Sequence, residues 1–207
     1  MKKNNLILTI VLLTVILFST SGYAQTVTIG KQVWTTKNLN VSTYRNGDEI
    51  PQVQDEKAWG DLTTGAWCYY NNDASNGTKY GKLYNWFAVN DPRGLAPKGY
   101  HIPTDLEWTE LTDYLGGKSE AGTKMKSTSG WYNNGNGTNS SGFSGLPGGY
   151  RNYNGPFYYI DYVSYWWSST EYNTNNAWNR YLNYSNGNVY RYTSYKRNGF
   201  SVRCLRD

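Results

Sequence analysis

The stretch HIPTDLEWTELTDYLGG, residues 101–117, carries the strongest local folding signal in this chain of 207 residues. Thr104 and Glu107 have the spacing of a capping box, in which the two side chains satisfy free backbone N–H groups at the start of a helix. An apolar stripe follows, made of Trp108, Leu111 and Leu115. The Gly-Gly pair that ends the stretch favours the end of the helix at this point. The stretch therefore predicts a helix from Asp105 to Leu115.

Alternation of apolar and polar residues predicts strands on both sides of this helix. The segment TVTIGKQV, residues 26–33, turns at its glycine and predicts a hairpin. SYWWSST, residues 164–170, is a candidate for a buried aromatic strand. NAWNRYLNY, residues 176–184, and NVYRYTSY, residues 188–195, flank the turn sequence Ser-Asn-Gly and predict a second hairpin with a type I′ turn.

The other segments have weaker patterns. Residues 44–65 are irregular, which indicates loops over the surface. Helical spacing of large residues predicts a second short helix from about Lys82 to Val89. Residues 123–155 are rich in Gly, Asn and Ser, and we expect an ordered loop region there, because a structureless stretch of this length does not suit a compact domain. The large side chains that would pin it are Met125, Trp131, Phe143 and Leu146.

The segment GFSVRCLRD, residues 199–207, predicts another strand. Alternation places Phe200, Val202 and Cys204 on one face, and Ser201 and Arg203 on the other. Cys68 and Cys204 are the only cysteines of the chain. In an oxidising compartment they favour one disulfide, worth about 4–5 kcal/mol in the chain-entropy model. The alternative is a pair of buried free thiols.

The first 24 residues have the anatomy of a secretory signal peptide. Two lysines precede an apolar run of 13 residues, from Leu6 to Phe18, and small residues follow. Cleavage between Ala24 and Gln25 is expected. The alternative is a membrane anchor, but this run is shorter than the roughly 20 residues needed to span a bilayer. We therefore expect an exported protein, secreted or at the cell surface, with residues 25–207 as one domain and no stable membrane span.

Several catalytic chemistries lack the residues they need. His101 is the only histidine, so a multi-histidine metal site cannot be assembled. A Ser-His-Asp site would rest on this one residue, and no GxSxG turn accompanies it. A carboxylate pair for glycoside cleavage remains an alternative, but a helix cap and a helix dipole account better for the acids near residue 105. The chain is basic, with net charge +5 and a basic end poor in acids. Its basic residues are dispersed, so we expect no nucleic-acid partner.

Six segments resemble the Fibrobacter succinogenes major paralogous domain, a family of secreted bacterial proteins. In order they are IGKQVWTTKNLNV, WCYYNNDASNGTKYGKLYNWFAV, GLAPKGYHIPTDLEW, GFSGLPGGYR, WWSSTEYNTNNAW and GFSVRCLRD. They span nearly all of the chain after residue 25. One departure is Ala96, where that family often has Cys, and any further disulfide there is lost.

PTDLEW and GFSVR are also similar to segments of formylglycine-generating-enzyme-like proteins, which have the C-type-lectin-like fold. The resemblance implies an α+β architecture of short helices, small twisted antiparallel sheets and long ordered loops. Enzymes of that type use a cysteine pair in the C-terminal half, and only Cys204 lies there, so their oxidase mechanism does not carry over. Such folds often hold calcium in loops. Asn71 to Asp73 and Asn133 to Asn139 offer oxygen donors but few carboxylates, so calcium stays a weak alternative to no cofactor.

The stretch NRYLNYSNGNVYRYTSYKRNG, residues 179–199, has the composition of antibody recognition loops, in which Tyr gives rigid contact area and Asn adaptable hydrogen bonds. We expect a non-catalytic face that binds a protein or a glycan. The alternatives are a strand and turn composition without a binding role, an enzyme of the formylglycine-generating or glycan-active type, or a structural envelope or adhesion component. The candidate ligand-binding residues are Tyr172, Asn173, Asn175, Asn176, Asn179, Tyr181, Asn183, Tyr190, Arg191, Tyr192 and Tyr195.

The segment from Trp166 onward also resembles the variable region of C-type-lectin-like proteins that retroelements diversify. In those proteins, adenine-directed mutation of Asn codons yields Tyr, Ser and Asp. The resemblance implies that the candidate Asn and Tyr residues, Asn179 among them, are exposed variable positions.

Overall fold

The computed structural model describes residues 25–207, and the predicted signal peptide with its cleavage after Ala24 lies outside them. In the described part, no helix is long and apolar enough to cross a membrane. The helices are α1 (Glu56–Gly60), α2 (Ala74–Tyr80), α3 (Trp86–Val89), α4 (Asp105–Tyr114) and α5 (Ala121–Met125). The strands are β1 (Thr26–Ile29), β2 (Gln32–Thr35), β3 (Trp67–Cys68), β4 (Leu83–Tyr84), β5 (Tyr100–His101), β6 (Gly148–Arg151), β7 (Phe157–Ile160), β8 (Val163–Glu171), β9 (Asn176–Asn183), β10 (Val189–Tyr195) and β11 (Leu205–Arg206).

The strands form three small sheets, with the orders β1-β2-β11-β5, β10-β9-β8-β6-β7 and β3-β4. All strand pairs are antiparallel except β6 with β8, which run parallel. The predicted mixture of short helices and small sheets is confirmed. The predicted hairpin of residues 26–33 is confirmed as β1 and β2, and the aromatic strand candidate is confirmed as β8, in which Trp166 and Trp167 are fully buried.

Helix α4 has the predicted capping box. The Thr104 hydroxyl accepts from the Glu107 backbone N–H at 3.2 Å, and the Glu107 carboxylate accepts from the Thr104 backbone N–H at 2.7 Å. The apolar stripe of α4 packs on an aromatic core. Ring centroids of Trp108 lie 4.7 Å from Trp34 and 5.9 Å from Phe143. The core therefore uses aromatic rings where most domains use aliphatic side chains.

The prediction of one helix over residues 82–89 is wrong in its first half. Leu83 and Tyr84 form β4, which pairs with β3, and only the second half is helical. The Asn85 amide oxygen separates the two elements, because it accepts from the backbone N–H groups of both Ala66 and Ala88. Strand pairing thus prevails over helical spacing. Two further short helices are each capped by an aspartate: α1, within the segment 44–65 that we expected to form loops, and α2, for which no helix was predicted.

The region of residues 123–155 is more regular than expected. It contains the end of α5, a 3-10 turn at Tyr132–Asn134 and strand β6, which forms a hairpin with β7 around the dipeptide Asn154-Gly155. Gly155 has φ +115, a conformation that side chains with a Cβ disfavour. Of the predicted anchors, Met125, Trp131 and Phe143 are buried, and Leu146 is half-buried.

The second predicted hairpin is confirmed as β9 and β10, but its turn type is wrong. The connection is the five-residue loop 184–188, and Asn186 and Gly187 lack the positive φ that a type I′ turn requires. The buried Lys126 ammonium holds this loop against its neighbours, because it donates to main-chain oxygens. These belong to Gly135 (2.6 Å), Asn186 (2.9 Å), Asn183 (3.2 Å) and Tyr184 (3.5 Å).

Phe200, Val202 and Cys204 lie in one hydrophobic cluster, as the predicted alternation requires, but the segment from Phe200 to Leu205 is buried on both sides. Only Leu205–Arg206 is a regular strand, and Ser201 and Arg203 are as buried as their apolar neighbours. Burial lowers the pKa of Arg203 to about 9. Its guanidinium donates to the carbonyls of Thr35, Phe143 and Ser144. Arg151 likewise donates to the carbonyls of Val53, Gln54, Asp55 and Gly155.

The predicted disulfide between Cys68 and Cys204 is absent, and both residues are buried free thiols. They belong to different hydrophobic clusters, Cys68 with Trp59 and Cys204 with Val202. Burial raises the pKa of each thiol to about 12, so both behave as small apolar side chains. The alternative of two free thiols is therefore the one the structure has.

Candidate ligand-binding face

The strands β8, β9 and β10 present two chemically different faces. Their register places Tyr165 opposite Tyr181, and Tyr181 opposite Tyr190. Since successive side chains of a strand point to opposite faces, these tyrosines share one side of the sheet. Residues between them in sequence, such as Leu182 and Val189, pack in the core with α4 on the other side.

The tyrosines stack into a ladder that crosses the three strands. It starts at the buried ring of Phe200. Successive centroid distances from Phe200 through Tyr165 and Tyr181 to Tyr190 are 4.6, 4.9 and 4.4 Å. The interplanar angles are 19°, 26° and 8° in the same order, so the rings are stacked. Offset stacking of this kind stabilises a sheet through cross-strand pairs and leaves the outer rings in contact with solvent.

The hairpin of β6 and β7 extends this surface. Tyr150 lies 5.0 Å from Tyr165 and 5.9 Å from Tyr158, measured between ring centroids. Tyr159 and Asp161 have positive φ, at 63° and 67°, which is uncommon for residues other than glycine. This local backbone conformation lets both Tyr158 and Tyr159 stand exposed beside Tyr150.

A third group of tyrosines continues the surface past β7. The rings of Tyr132 and Tyr162 stack at 4.2 Å, and Tyr184 meets Tyr162 edge-on at 5.3 Å. The name tyrosine face is used below for this continuous set: Tyr132, Tyr150, Tyr158, Tyr159, Tyr162, Tyr165, Tyr181, Tyr184, Tyr190 and Tyr192. Six of its members lie between residues 132 and 165, and neither these nor Tyr184 were among the predicted ligand-binding residues. The Asn154-Gly155 dipeptide between two tyrosine-rich segments was the available signal for that hairpin.

Three phenols of the tyrosine face are partly buried among their neighbours. Burial raises the pKa of Tyr150, Tyr165 and Tyr181 above the ordinary tyrosine value. The face therefore offers aromatic area and neutral hydroxyl groups, each able to donate and accept one or more hydrogen bonds.

The opposite face of the sheet is closed by an ion-pair network. Arg180, which is buried, lies 2.6 Å from a carboxylate oxygen of Asp105, and Arg191 pairs with the same carboxylate at 2.8 Å. The Arg191 guanidinium also stacks on Trp178, 3.4 Å from the ring centroid. Burial opposes ionisation of Asp105, but the hydrogen bonds from Arg191 and Arg180 prevail and hold its pKa below the ordinary value. Arg191 is thus engaged within the protein.

The structure brings together only part of the predicted binding set. Tyr181, Tyr190 and Tyr192 lie on the tyrosine face, and Tyr195 lies beside it, 4.7 Å from Tyr153. The prediction that Asn179 is exposed is wrong: its exposed fraction is 0%, and its amide donates to the Ser194 hydroxyl at 2.9 Å. Its partner in β8 is Trp167, which is also fully buried.

The remaining predicted residues lie around turns. Tyr172, Asn173 and Asn175 are exposed in the connection of β8 and β9, next to the half-buried Asn176. The Asn173 amide oxygen accepts from the backbone N–H groups of Asn175 and Asn176. Asn183 accepts from Ser185 in the same manner. Their side chains therefore shape the backbone as well as the surface.

The residues weighed for catalysis or metal binding have structural partners. His101 lies between Glu107 (2.9 Å) and Asp207 (2.8 Å), and although burial opposes its protonation, these two hydrogen bonds raise its pKa. Asp73 caps α2 by accepting from Ser75, and Asn71 and Asn133 have positive φ in 3-10 turns. Within residues 25–207, no group of three or more His, Cys, Asp or Glu side chains is arranged to hold a metal ion.

Comparison with known proteins gives one match. The family model of the Fibrobacter succinogenes major domain matches residues 27–206, which is nearly all of the part the structure describes. No curated protein and no solved structure matched the chain. The match covers nearly all of the three sheets, α4 and the tyrosine face. The chain therefore belongs to the Fibrobacter succinogenes major domain family.

Proposed function

We propose that this protein is a non-catalytic ligand-binding module whose contact surface is the tyrosine face. The observation that carries the proposal is the continuity of that face, in which ten phenol rings from five strands and their connections lie side by side. Tyr192, Tyr159 and Tyr132 are 63%, 58% and 48% exposed. Large exposed aromatic patches on a protein surface mark interaction sites, because they bury much area at low entropy cost.

The sheet beneath the face supports this role. The ladder from Phe200 to Tyr190 fixes the ring planes before any ligand arrives. Preorganised side chains lose little conformational freedom on binding, so more of the contact energy contributes to affinity. The neutral phenols suit either a protein surface or a glycan.

The proposal includes a fold and a location. We assign the chain to the C-type-lectin-like fold, on the support of its short helices, its small sheets and the extended ordered segments between them. We place the protein outside the cytoplasm, secreted or at the cell surface, on the support of the signal-like composition of residues 1–24. Neither statement requires a cofactor.

The experiment measures binding of the purified domain, residues 25–207, to a glycan array and to extracted surface proteins. The test variant combines Tyr159→Ala with Tyr192→Ala. The matched control is Tyr114→Ala, since Tyr114 is 67% exposed on α4, away from the tyrosine face. We expect the test variant to lose at least about tenfold in affinity, as for contacts worth 1.4 kcal/mol or more, and the control to bind as the wild type. Absence of any retained ligand, or equal binding by all three proteins, contradicts the proposal.

A second element of the proposal concerns diversification by a retroelement. It is favoured by the exposed or half-exposed placement of Asn173, Asn175, Asn183 and Tyr192 on and beside β9 and β10. The buried Asn179 is removed from the set. Sequencing the surrounding DNA tests this idea. We expect a near-identical template repeat with differences at adenines and a neighbouring reverse transcriptase gene, and their absence contradicts it.

A further inference from the structure

Beside the tyrosine face, a groove runs between the β6–β7 hairpin and β10. Aromatic rings form its walls: Tyr150, Tyr153, Tyr165, Tyr192, Tyr195 and Phe200. It encloses about 410 Å³, within the range of roughly 300–1,000 Å³ typical of small-molecule sites. We propose that this aromatic groove binds an uncharged saccharide. The inference rests on the proposed function and names the ligand class for one part of that surface.

The floor of the groove contains an amide without a partner. Asn198 lines the groove and is 7% exposed, yet its side-chain oxygen has no hydrogen-bond partner among the described residues. Buried polar atoms are nearly always paired, so such an atom in a groove needs an explanation. Rotation of the amide by 180° exchanges its oxygen and nitrogen, so the same side chain can accept from or donate to a ligand hydroxyl.

A second buried amide repeats this feature close by. The side-chain oxygen of Asn179 also lacks a partner, while its nitrogen donates to the Ser194 hydroxyl, and Ser194 lines the groove. The Ser194 hydroxyl, held from below by Asn179, keeps its own proton to donate. The floor thus places an amide and a hydroxyl below the aromatic walls. Hydroxyl groups, which both donate and accept, match that combination.

The aromatic walls of the groove suit the faces of a sugar ring. The rings of Tyr153 and Tyr195 meet edge-on at 4.7 Å, and those of Tyr150 and Tyr165 at 5.0 Å. Ring faces exposed between such pairs carry partial negative charge, which attracts weakly positive C–H groups. A pyranose presents C–H groups on its faces and hydroxyl groups around its rim. Its chemistry therefore matches aromatic walls and an amide floor.

The charge of the groove selects against acidic and basic ligands. None of the side chains that line it is Asp, Glu, Lys or Arg. Burial also keeps Tyr150 and Tyr165 neutral by raising their pKa. A charged ligand would lose hydration without gaining an ion pair. A neutral sugar avoids this cost, although the chain as a whole has net charge +5.

The test is calorimetric titration of the domain with three uncharged hexasaccharides of different linkage, namely maltohexaose, cellohexaose and mannohexaose. Hexagalacturonic acid is the charged comparison. We expect 1:1 binding of at least one neutral hexasaccharide and weaker binding of the acid. Tyr192→Ala and Tyr195→Ala should each weaken the neutral complex at least about tenfold, while Tyr114→Ala leaves it unchanged. Asn198→Ala should abolish binding of the neutral hexasaccharide. If this buried variant fails to fold, the variants Tyr192→Ala and Tyr195→Ala still test the inference.

The outcomes separate this inference from the proposed function. Binding of none of the neutral hexasaccharides, or preference for hexagalacturonic acid, overturns the saccharide inference. Unchanged affinity in both Tyr192→Ala and Tyr195→Ala overturns the placement in the groove. If a surface protein is still retained through Tyr159 and Tyr192, the proposed function stands and only the saccharide inference fails. If nothing is retained in either experiment, both fail.

Discussion

The two faces of the sheet formed by β8, β9 and β10 are built from alternate residues of the same strands, yet they differ in almost every property. The inner face has Trp166, Leu182 and Arg180, and α4 covers it so that each of these side chains is nearly inaccessible. The outer face has the stacked tyrosines, with rings half-buried or exposed. In these strands, every second residue therefore contributes to the core, and the residues between them form the outer surface.

The large polar side chains of the two faces are also paired differently, although the Ser164 hydroxyl of the inner face lacks a partner within residues 25–207 as well. On the inner face the Arg180 guanidinium donates to Asp105 and Thr109 and so is fully engaged. Below the outer face the amide oxygens of Asn179 and Asn198 lack partners. Unpaired buried polar atoms lower stability, so their location on the exposed side is consistent with a binding role.

The difference between the two faces predicts the largest loss of stability for Trp166→Ala. The Trp166 ring is fully buried, lies 5.5 Å from the Phe143 ring between centroids and donates to the Asn38 side chain. Because the cavity left behind cannot collapse fully, we expect a loss of about 3–5 kcal/mol in the free energy of unfolding, measured in urea. Tyr192→Ala on the outer face should change it by less than about 0.5 kcal/mol. Equal losses would contradict the division between the faces.

The ion pair beneath the sheet gives the next largest effect. Asp105→Ala leaves the buried Arg180 without its carboxylate, and we expect a loss of about 3 kcal/mol in the free energy of unfolding. Asp113→Ala is the matched control, since Asp113 is an exposed aspartate of the same helix. Denaturant titrations of both variants check this. A loss below about 1 kcal/mol for Asp105→Ala would mean that Arg180 finds another partner.

A smaller effect is expected within the ladder. Tyr181 stacks on both Tyr165 and Tyr190, so Tyr181→Ala should lower the free energy of unfolding by about 1 kcal/mol. Tyr181→Phe keeps the ring and should be close to the wild type. If the Phe variant loses as much as the Ala variant, the hydroxyl rather than the stack stabilises the outer face. Urea unfolding at pH 7 distinguishes the two cases.

The smallest effects are opposite pH dependences of the two faces. The pKa of Asp105 is lowered, so its contribution to stability is present above the unfolded pKa of about 3.9 and is lost as pH falls through its folded pKa. The pKa of Tyr165 is raised, so its contribution is present below about pH 10 and is lost as pH rises further. Unfolding in urea at pH 3, 7 and 10.5 measures both trends.

Matched variants assign these trends. Asp105→Asn should flatten the acid decline, and Tyr165→Phe should flatten part of the alkaline decline, because each removes the titrating group and keeps the shape of the side chain. An acid decline that is equally steep in Asp105→Asn would show that other carboxylates control it. If Tyr165→Phe keeps the full alkaline decline, another group causes that decline. One such group is the fully buried Tyr84, because burial raises its pKa as well.

Sequence reasoning succeeded where the signal is local. The capping box at Thr104 sets the start of α4 without help from distant residues. Alternation likewise identified both hairpins and the buried strand β8.

The failures occur where distant partners decide. Leu83 and Tyr84 are a strand because Trp67 and Cys68 pair with them. Asn179 donates to the Ser194 hydroxyl, Ser201 accepts from the Asn38 amide, and Arg203 donates to main-chain oxygens. These partners lie far away in sequence, and no local pattern marks them. The β6–β7 hairpin was missed because glycine and asparagine are equally common in loops. With it, Tyr150, Tyr158 and Tyr159 of the tyrosine face were missed.

The buried cations Lys126, Arg151 and Arg203 have a consequence for how this protein can change. Each fastens irregular segments mainly by donating to main-chain oxygens, and every amino acid has such an oxygen. Side chains in the fastened segments can therefore be exchanged without removing the attachment. The attachment of the loop 184–188 and of the β6–β7 hairpin is thus independent of most side chains in those segments. Gly187 and Gly155 are exceptions, because a Cβ at either position would meet neighbouring atoms at less than 3 Å.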